Sequence, residues 1–312
     1  MRDLAALPKA HLHVHLESSI RASTLAELGF ASGAKEFDGF RSFADHNSLV
    51  RQCLTEPEHF TRVAAEFCED QRAQGVRYGE VTFTAAAHGE RLGNPEMPLE
   101  AVLDGLAPEF SVILDHSRRR SPARFAKTLE LAQKHDRVVA IGMAGEERHP
   151  LAPFAEILDA ARDAGVRLVH HAGEDAGPAS ILEALKLGHA ARIGHGIRCL
   201  ESPELVARLR DERVPLEVCP SSNVGLGLVP SWPEHPLPRL VDAGLQVTVN
   251  TDVPASVGTD LVTEYERIRQ AFGYDDEALA ALARAGVDAS FASDATKAAL
   301  NADIADWLAL GP

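Results

Sequence analysis

Cysteine is scarce. Four residues in 312 (Cys53, Cys68, Cys199 and Cys219) are widely spread and form no CxxC pair. That excludes a disulfide framework and a cysteine-ligated zinc ribbon, and fits reduced, mostly buried thiols. Long apolar runs are also missing. No stretch of 18 apolar residues occurs, and the opening MRDLAALPKA lacks an apolar segment of signal-peptide length, so a cytoplasmic protein with no membrane partner is expected. Positive charge is in short supply, with 31 Lys and Arg against 46 Asp and Glu, a net −15 with neutral histidines. Such a field repels nucleic acid and anionic lipid, which leaves small-molecule chemistry. No low-complexity tract or Pro/Ser-rich linker divides the chain, so residues 1–312 are expected to form one domain; the sequence leaves an oligomer open.

What is present supports a large core, with 45% hydrophobic residues. Eight short β-type runs recur at 12–16, 77–84, 110–116, 137–145, 166–174, 191–197, 215–223 and 245–253. Helix-like segments alternate with them, among them Glu58–Gln74, Pro122–Lys134, Pro153–Ala164, Ala179–Leu187 and Pro203–Asp211. Gly75, Gly165, Gly188 and Gly244 stand where left-handed helix stops are expected. Eight alternations predict an α/β fold, a (β/α)8 TIM barrel. The interval 17–76 is too long for one helix and predicts extra helices after strand 1; Asp275–Leu310 predicts helices at the C-terminus.

A barrel places chemistry at the C-terminal ends of its strands. Histidines alternate with apolar residues in KAHLHVHLESS (9–19), so His11, His13 and His15 share a face if the run is extended. His13 and His15 lie nearer the barrel mouth, whereas His11 reads as a satisfied core histidine one layer below. Strand 5 ends in HHAGE, with His170, His171 and Glu174; strand 6 in GHG, with His195; strand 8 in NTD, with Asp252. His170 and His171 face opposite sides of their strand, and periodicity alone does not choose between them. Three imidazoles and a carboxylate suit a divalent transition metal, zinc first, then nickel, iron or manganese. Such a metal brings the pKa of bound water to about 7. A nearby carboxylic acid that protonates the ring and then the leaving amine typically contributes about 10²–10⁴-fold. The glycines flanking His195 are read as room for close approach of a substrate.

With these motifs, PKAHLHVHLES, GMAGEE (142–147), HHAGE, RIGHG (192–196), CPSSN (219–223) and VNTDVP (249–254) occur in order over nearly the whole chain. In this the sequence resembles the adenosine/AMP/adenine deaminases of the metal-dependent amidohydrolase superfamily. The resemblance implies a zinc-dependent aminohydrolase that converts an adenine-type ring to its 6-oxo product plus ammonia, by attack of metal-bound hydroxide. It implies one metal held by His13, His15, His171 and Asp252, with Glu174 as proton shuttle and His195 orienting the hydroxide. Gly145 is implied to meet a purine nitrogen through its backbone, and Glu17 to reach toward a sugar.

Two positions depart from that pattern. Val253 follows the metal aspartate where the family has a second aspartate, and Ser18 replaces a glycine after Glu17. Valine neither donates nor accepts a hydrogen bond, so either other groups read an adenine-type ring or the substrate is a different aminated heterocycle. Hydrolysis of an ester or amide is the alternative activity, although no lysine ends strand 4 to bridge two metals. Arg118–Arg120 read as a solvated helix entry, or as a contact for a substrate phosphate. Ser221, Ser222 and Asn223 either line the pocket or cap the next turn. Asp260, Glu264 and Glu266 read as an exposed acidic face.

Overall fold

The computed structural model describes residues 1–30 and 39–310, with the backbone alone over 39–45. Eight parallel strands follow one another in chain order: β1 (Lys9–His11), β2 (Val76–Phe83), β3 (Phe110–Ser117), β4 (Val138–Ala144), β5 (Arg167–Ala172), β6 (Arg192–His195), β7 (Leu216–Val218) and β8 (Val247–Val249). Parallel neighbours need a crossover, and helices supply it, so the predicted (β/α)8 barrel is the observed fold. The strands carry side chains buried on both sides, such as the adjacent Val81 and Thr82 on β2 and Ile113 and Leu114 on β3.

Helix boundaries follow from local chemistry. Pro122–Lys134 and Pro203–Asp211 begin as expected, each with proline in its first turn and a serine cap. Ser121 Oγ accepts from the Arg124 N–H at 3.4 Å, and Ser202 Oγ from the Leu205 N–H at 3.3 Å. Gly75, Gly165 and Gly244 adopt positive φ as expected, whereas Gly188 does not. There His189 takes the left-handed conformation (φ 49°), and Gly188 is required because a Cβ would lie 2.7 Å from the His170 ring.

The interval after β1 carries helices Ala22–Glu27, Gly39–Gln52 and Pro57–Ala73; its residues 31–38 lie outside the described residues. The C-terminal helices Asp276–Ala289 and Asp294–Ala309 are present as expected. Their junction seals the N-terminal end of the barrel. Arg192 donates to the Ala289 carbonyl at 3.1 Å, its guanidinium lies 3.9 Å from the Phe291 ring centre, and the Phe291 N–H donates to Glu80 Oε1 at 2.6 Å. Among the described residues, no helix is long and apolar enough to cross a membrane.

Strand 1 departs from expectation. Regular pairing ends at His11, before the alternating histidines at 13 and 15. Beyond it the Asn250 side chain stands in for a strand neighbour, its Oδ1 accepting from the Leu12 and His13 N–H groups at 2.9 and 3.1 Å. The barrel then closes between β1 and β8 by two backbone bonds, Asp252 N–H to His13 O at 3.0 Å and His15 N–H to Asp252 O at 2.8 Å.

Candidate active site

The seam that closes the barrel also brings together groups that could hold a metal ion. One donor atom from each of His13, His15, His171 and Asp252 lies within 4.8 Å of the other three, and Glu174, His195 and Asp252 form an overlapping group. His171 faces this cluster. His170 points away, its Nε2 2.8 Å from the Gly188 carbonyl, which resolves the choice that periodicity left open. His11 is a core residue: Nδ1 meets Gln71 Oε1 at 2.6 Å, and Nε2 accepts from the Thr251 N–H at 3.2 Å.

The donor set calls for a cation at its centre. His13 Nδ1 is 2.8 Å from Glu217 Oε2, so that bond holds the Nδ1 proton and turns Nε2 inward. Nε2 is buried, has no hydrogen-bond partner, and lies 3.6 Å from Asp252 Oδ1. His15 Nε2 and His171 Nε2 face each other at 3.4 Å, and His15 Nε2 stands 3.3 Å from Asp252 Oδ1. Burial lowers the His13 pKa, but the neighbouring Asp252 and Glu217 carboxylates outweigh it and carry it up to about 10. Burial alone would raise Asp252; the imidazoles of His13 and His15 beside it hold it well below the ordinary range. Burial, then the neighbouring imidazoles, push His171 well down. A proton or a metal must satisfy this centre, and three imidazoles with one carboxylate match the preferences of zinc.

Backbone strain accompanies the site. His195 and Asp252 have φ of 64° and 58°, a region that side chains rarely occupy. The flanking glycines serve packing rather than substrate approach, which corrects the reading from sequence. A Cβ on Gly194 would sit 2.9 Å from the His13 ring, and one on Gly196 would sit 2.6 Å from Leu216.

Burial, then the charges of Asp252, Glu147 and Asp175, push the Glu174 carboxyl well above its ordinary range. Its Oε2 lies 3.6 Å from His195 Nε2. Burial brings His195 down to about 4, so its ring is neutral at pH 7. A chain of hydrogen bonds sets its tautomer. His235 Nδ1 accepts from the Leu237 N–H at 3.1 Å, so His235 Nε2–H donates to Asn223 Oδ1 at 3.2 Å. Asn223 Nδ2 then donates to His195 Nδ1 at 3.2 Å, which leaves the proton of His195 on the buried, unpartnered Nε2.

The cavity above these groups measures about 440 Å³ and is lined in part by His15, His171, Glu174, Asp252, Gly145 and Val253. Gly145 follows β4 at φ 92°, conformational space open to glycine. Val253 packs with Leu226, Leu228 and Val257. Glu17 lies behind the wall rather than on it. Its Oε1 takes the Thr84 hydroxyl, the Thr84 N–H at 3.2 Å and His88 Nε2 at 3.3 Å, so it braces two lining residues instead of reaching outward.

A family model described as Adenosine deaminase matches residues 30–307. An adenine deaminase of Rhizobium rhizogenes is 35% identical over 315 residues, covering 94% of this chain and 98% of that one. The chain belongs to the adenosine deaminase family. Its fold superposes on the crystal structure of an adenine deaminase from Arthrobacter aurescens with a TM-score of 0.92 at 32% identity, covering 98% of this chain and all of the other. An amidohydrolase from Burkholderia ambifaria with bound Zn superposes at 0.86 and 27% identity, over 97% and 91% of the two chains.

Several supporting residues of this family member escaped the sequence reading. Glu147, the last residue of GMAGEE, accepts from the Gly173 and Glu174 N–H groups at 2.7 Å and from Asp175 at 3.0 Å, clamping the turn that carries Glu174. Arg118 is buried, not a solvated helix entry: it donates to the His171 carbonyl at 2.6 Å. Ser222 and Asn223 neither line the cavity nor cap a turn; Ser222 Oγ donates to Asp252 Oδ2 at 2.5 Å, and Asn223 serves His195. Glu264 is fully buried and not part of an acidic face.

Proposed function

We propose that this protein removes the exocyclic amine from an adenine-type ring, giving the 6-oxo product and ammonia. The observation that carries the proposal is the convergence of His13, His15, His171 and Asp252 beside the buried Glu174, whose carboxyl burial pushes above its ordinary range. Those four residues are assigned to hold one zinc ion, and the zinc-bearing relative supports that choice of metal. When bound, the ion supplies Lewis acidity that makes water a nucleophile near neutral pH.

The chain's own groups do the rest. Glu174 gives its proton to the ring nitrogen beside the amine-bearing carbon, which prevents negative charge from accumulating on the ring. It recovers a proton from the attacking water, and the water's second proton reaches the amine, which leaves as ammonia. His195 Nε2–H donates to the oxygen developing on that carbon. The Gly145 backbone and the Val253 wall orient the ring.

Ammonia release over a panel of adenine, adenosine and related aminated heterocycles tests this. Turnover of at least one adenine-type member is expected, with Glu174→Gln retaining its metal but losing about 10²–10⁴-fold in kcat. An ester hydrolysed while no member of the panel yields ammonia would overturn it.

A further inference from the structure

The cavity has a charge asymmetry that amine removal does not require. In a chain of net charge −15, five of its lining residues are arginines: Arg51, Arg91, Arg119, Arg120 and Arg124. They occupy one side of the mouth, on the segments that follow β1, β2 and β3. Two have carboxylate partners, Arg124 on Glu90 and Arg119 on Glu146 at 3.5 Å. Among the described residues the other three face no carboxylate at ion-pair distance. Arg91 Nη2 spends itself on the Leu54 and Arg51 carbonyls. Arg120 is exposed, and among the described residues its side chain has no hydrogen-bond partner. Among the described residues, Arg51 Nε is buried without a hydrogen-bond partner, an expensive arrangement that the more distant charges of Glu17 and Asp115 offset only in part. On the segments after β7 and β8, the latter joined to β1 at the closing seam, the wall is apolar: Leu226 and Val253 are buried against Leu228 and Val257.

Size agrees with this polarity. A free adenine base, even at the ~30 Å³ that a water molecule occupies in the liquid for each non-hydrogen atom, fills at most about 300 Å³. The cavity of about 440 Å³ leaves room beyond the ring.

We infer that the substrate carries an anionic substituent, a carboxylate or a phosphate, seated against Arg51, Arg91 and Arg120, with an apolar ring edge on Val253 and Leu226. This rests on the reading above that the centre removes an amine from a ring. Guanidinium groups bind either anion through charge-assisted hydrogen bonds, so the shared chemistry is a compact anion a few bonds from the ring.

The test compares kcat/KM of the zinc-loaded enzyme, by ammonia release, for adenine and adenosine as neutral members, adenosine 5′-monophosphate as the phosphate member, and 9-(carboxyalkyl)adenines as the carboxylate members. An anionic member is expected to exceed the neutral ones by roughly 10- to 100-fold, and which one does so identifies the anion. Arg120→Gln and Arg51→Gln should each narrow that ratio, and raised salt should narrow it further. Neutral rings turned over as well as anionic ones, or a ratio that neither substitution moves, would overturn the inference while leaving deamination intact. Ammonia from no member would instead remove the deaminase reading itself.

Discussion

The donor role proposed for His195 rests on the residues behind it. Its Nδ1 receives a hydrogen bond from Asn223, which is held in turn by His235, so the proton stays on Nε2, facing Glu174. Asn223→Asp replaces the donor with an acceptor, moves the proton to Nδ1, and turns a lone pair toward the reacting carbon. A fall in kcat of about 10²-fold is expected with little change in KM, as for the loss of one oxyanion donor; unchanged turnover would separate the tautomer from catalysis. Glu264 gives a second prediction. Burial pushes its carboxyl up to about 7 despite bonds from the Ser221 N–H and Thr259. The folded state therefore binds more protons than the unfolded chain between pH 4.5 and 7, so stability falls as pH rises through that window and then levels off. Glu264→Gln removes the titration, and the variant should gain roughly 3 kcal/mol relative to the parent between pH 4.5 and 8 in chemical melts. Parallel pH profiles would place the Glu264 titration elsewhere. At this scale the sequence was readable where chemistry recurs in compact motifs, as with His13, His15, Glu174 and Asp252. Glu147, Glu217 and Asn223 act on atoms brought in from distant strands, such as Glu217 on a histidine 204 positions earlier, and no local pattern marks such a pairing.

At the level of elements, the alternation in HLHVH predicted an extended segment, and the backbone there is extended around His15. What alternation does not encode is which partner completes the pairing. Here the partner is a side chain: Asn250, anchored through Nδ2 to Thr248 Oγ1 at 2.9 Å, serves the two N–H groups that a neighbouring strand would otherwise take. Strand ends were blurred for the same reason. The run 215–223 reads as continuous β, yet β7 stops at Val218 and Pro220 opens a helix over Pro220–Gly225. The seam predicts its own weak point. Asn250→Ala leaves the buried N–H groups of Leu12 and His13 unpaired, at a cost of about 1–3 kcal/mol for each. A loss of about 2–6 kcal/mol in denaturant unfolding is expected, together with weaker zinc binding in a chelator competition, because His13 and Asp252 lie on the two sides of that seam. Loss of stability without loss of metal affinity would show that the ligands are placed independently of the closure.

For the whole molecule, periodicity was enough to reveal eight alternations and hence the barrel, because a parallel sheet buried on both faces writes apolar runs into the chain. Its interior is not uniformly apolar. Arg192 is fully buried between Glu80 at 2.5 Å and Glu217 at 2.6 Å, and Glu217 reaches on to His13, so one ionic chain runs from the sealed end of the barrel to the ligand cluster. Those charges are paired, and the cluster at the other end of the chain is the proposed seat of a cation. A ligand that binds only the folded state adds RT ln(1 + [L]/Kd) to stability, about 4 kcal/mol at a thousandfold excess over Kd. At about 2–4 °C per kcal/mol for chains somewhat shorter than this one, the melting temperature of stripped protein should rise by several degrees as free zinc increases. The rise should continue logarithmically after the site is filled, because unfolding releases the ion. His171→Ala removes one donor and should flatten the curve. A parent protein whose melting temperature ignores zinc would mean that these imidazoles and Asp252 do not share a metal.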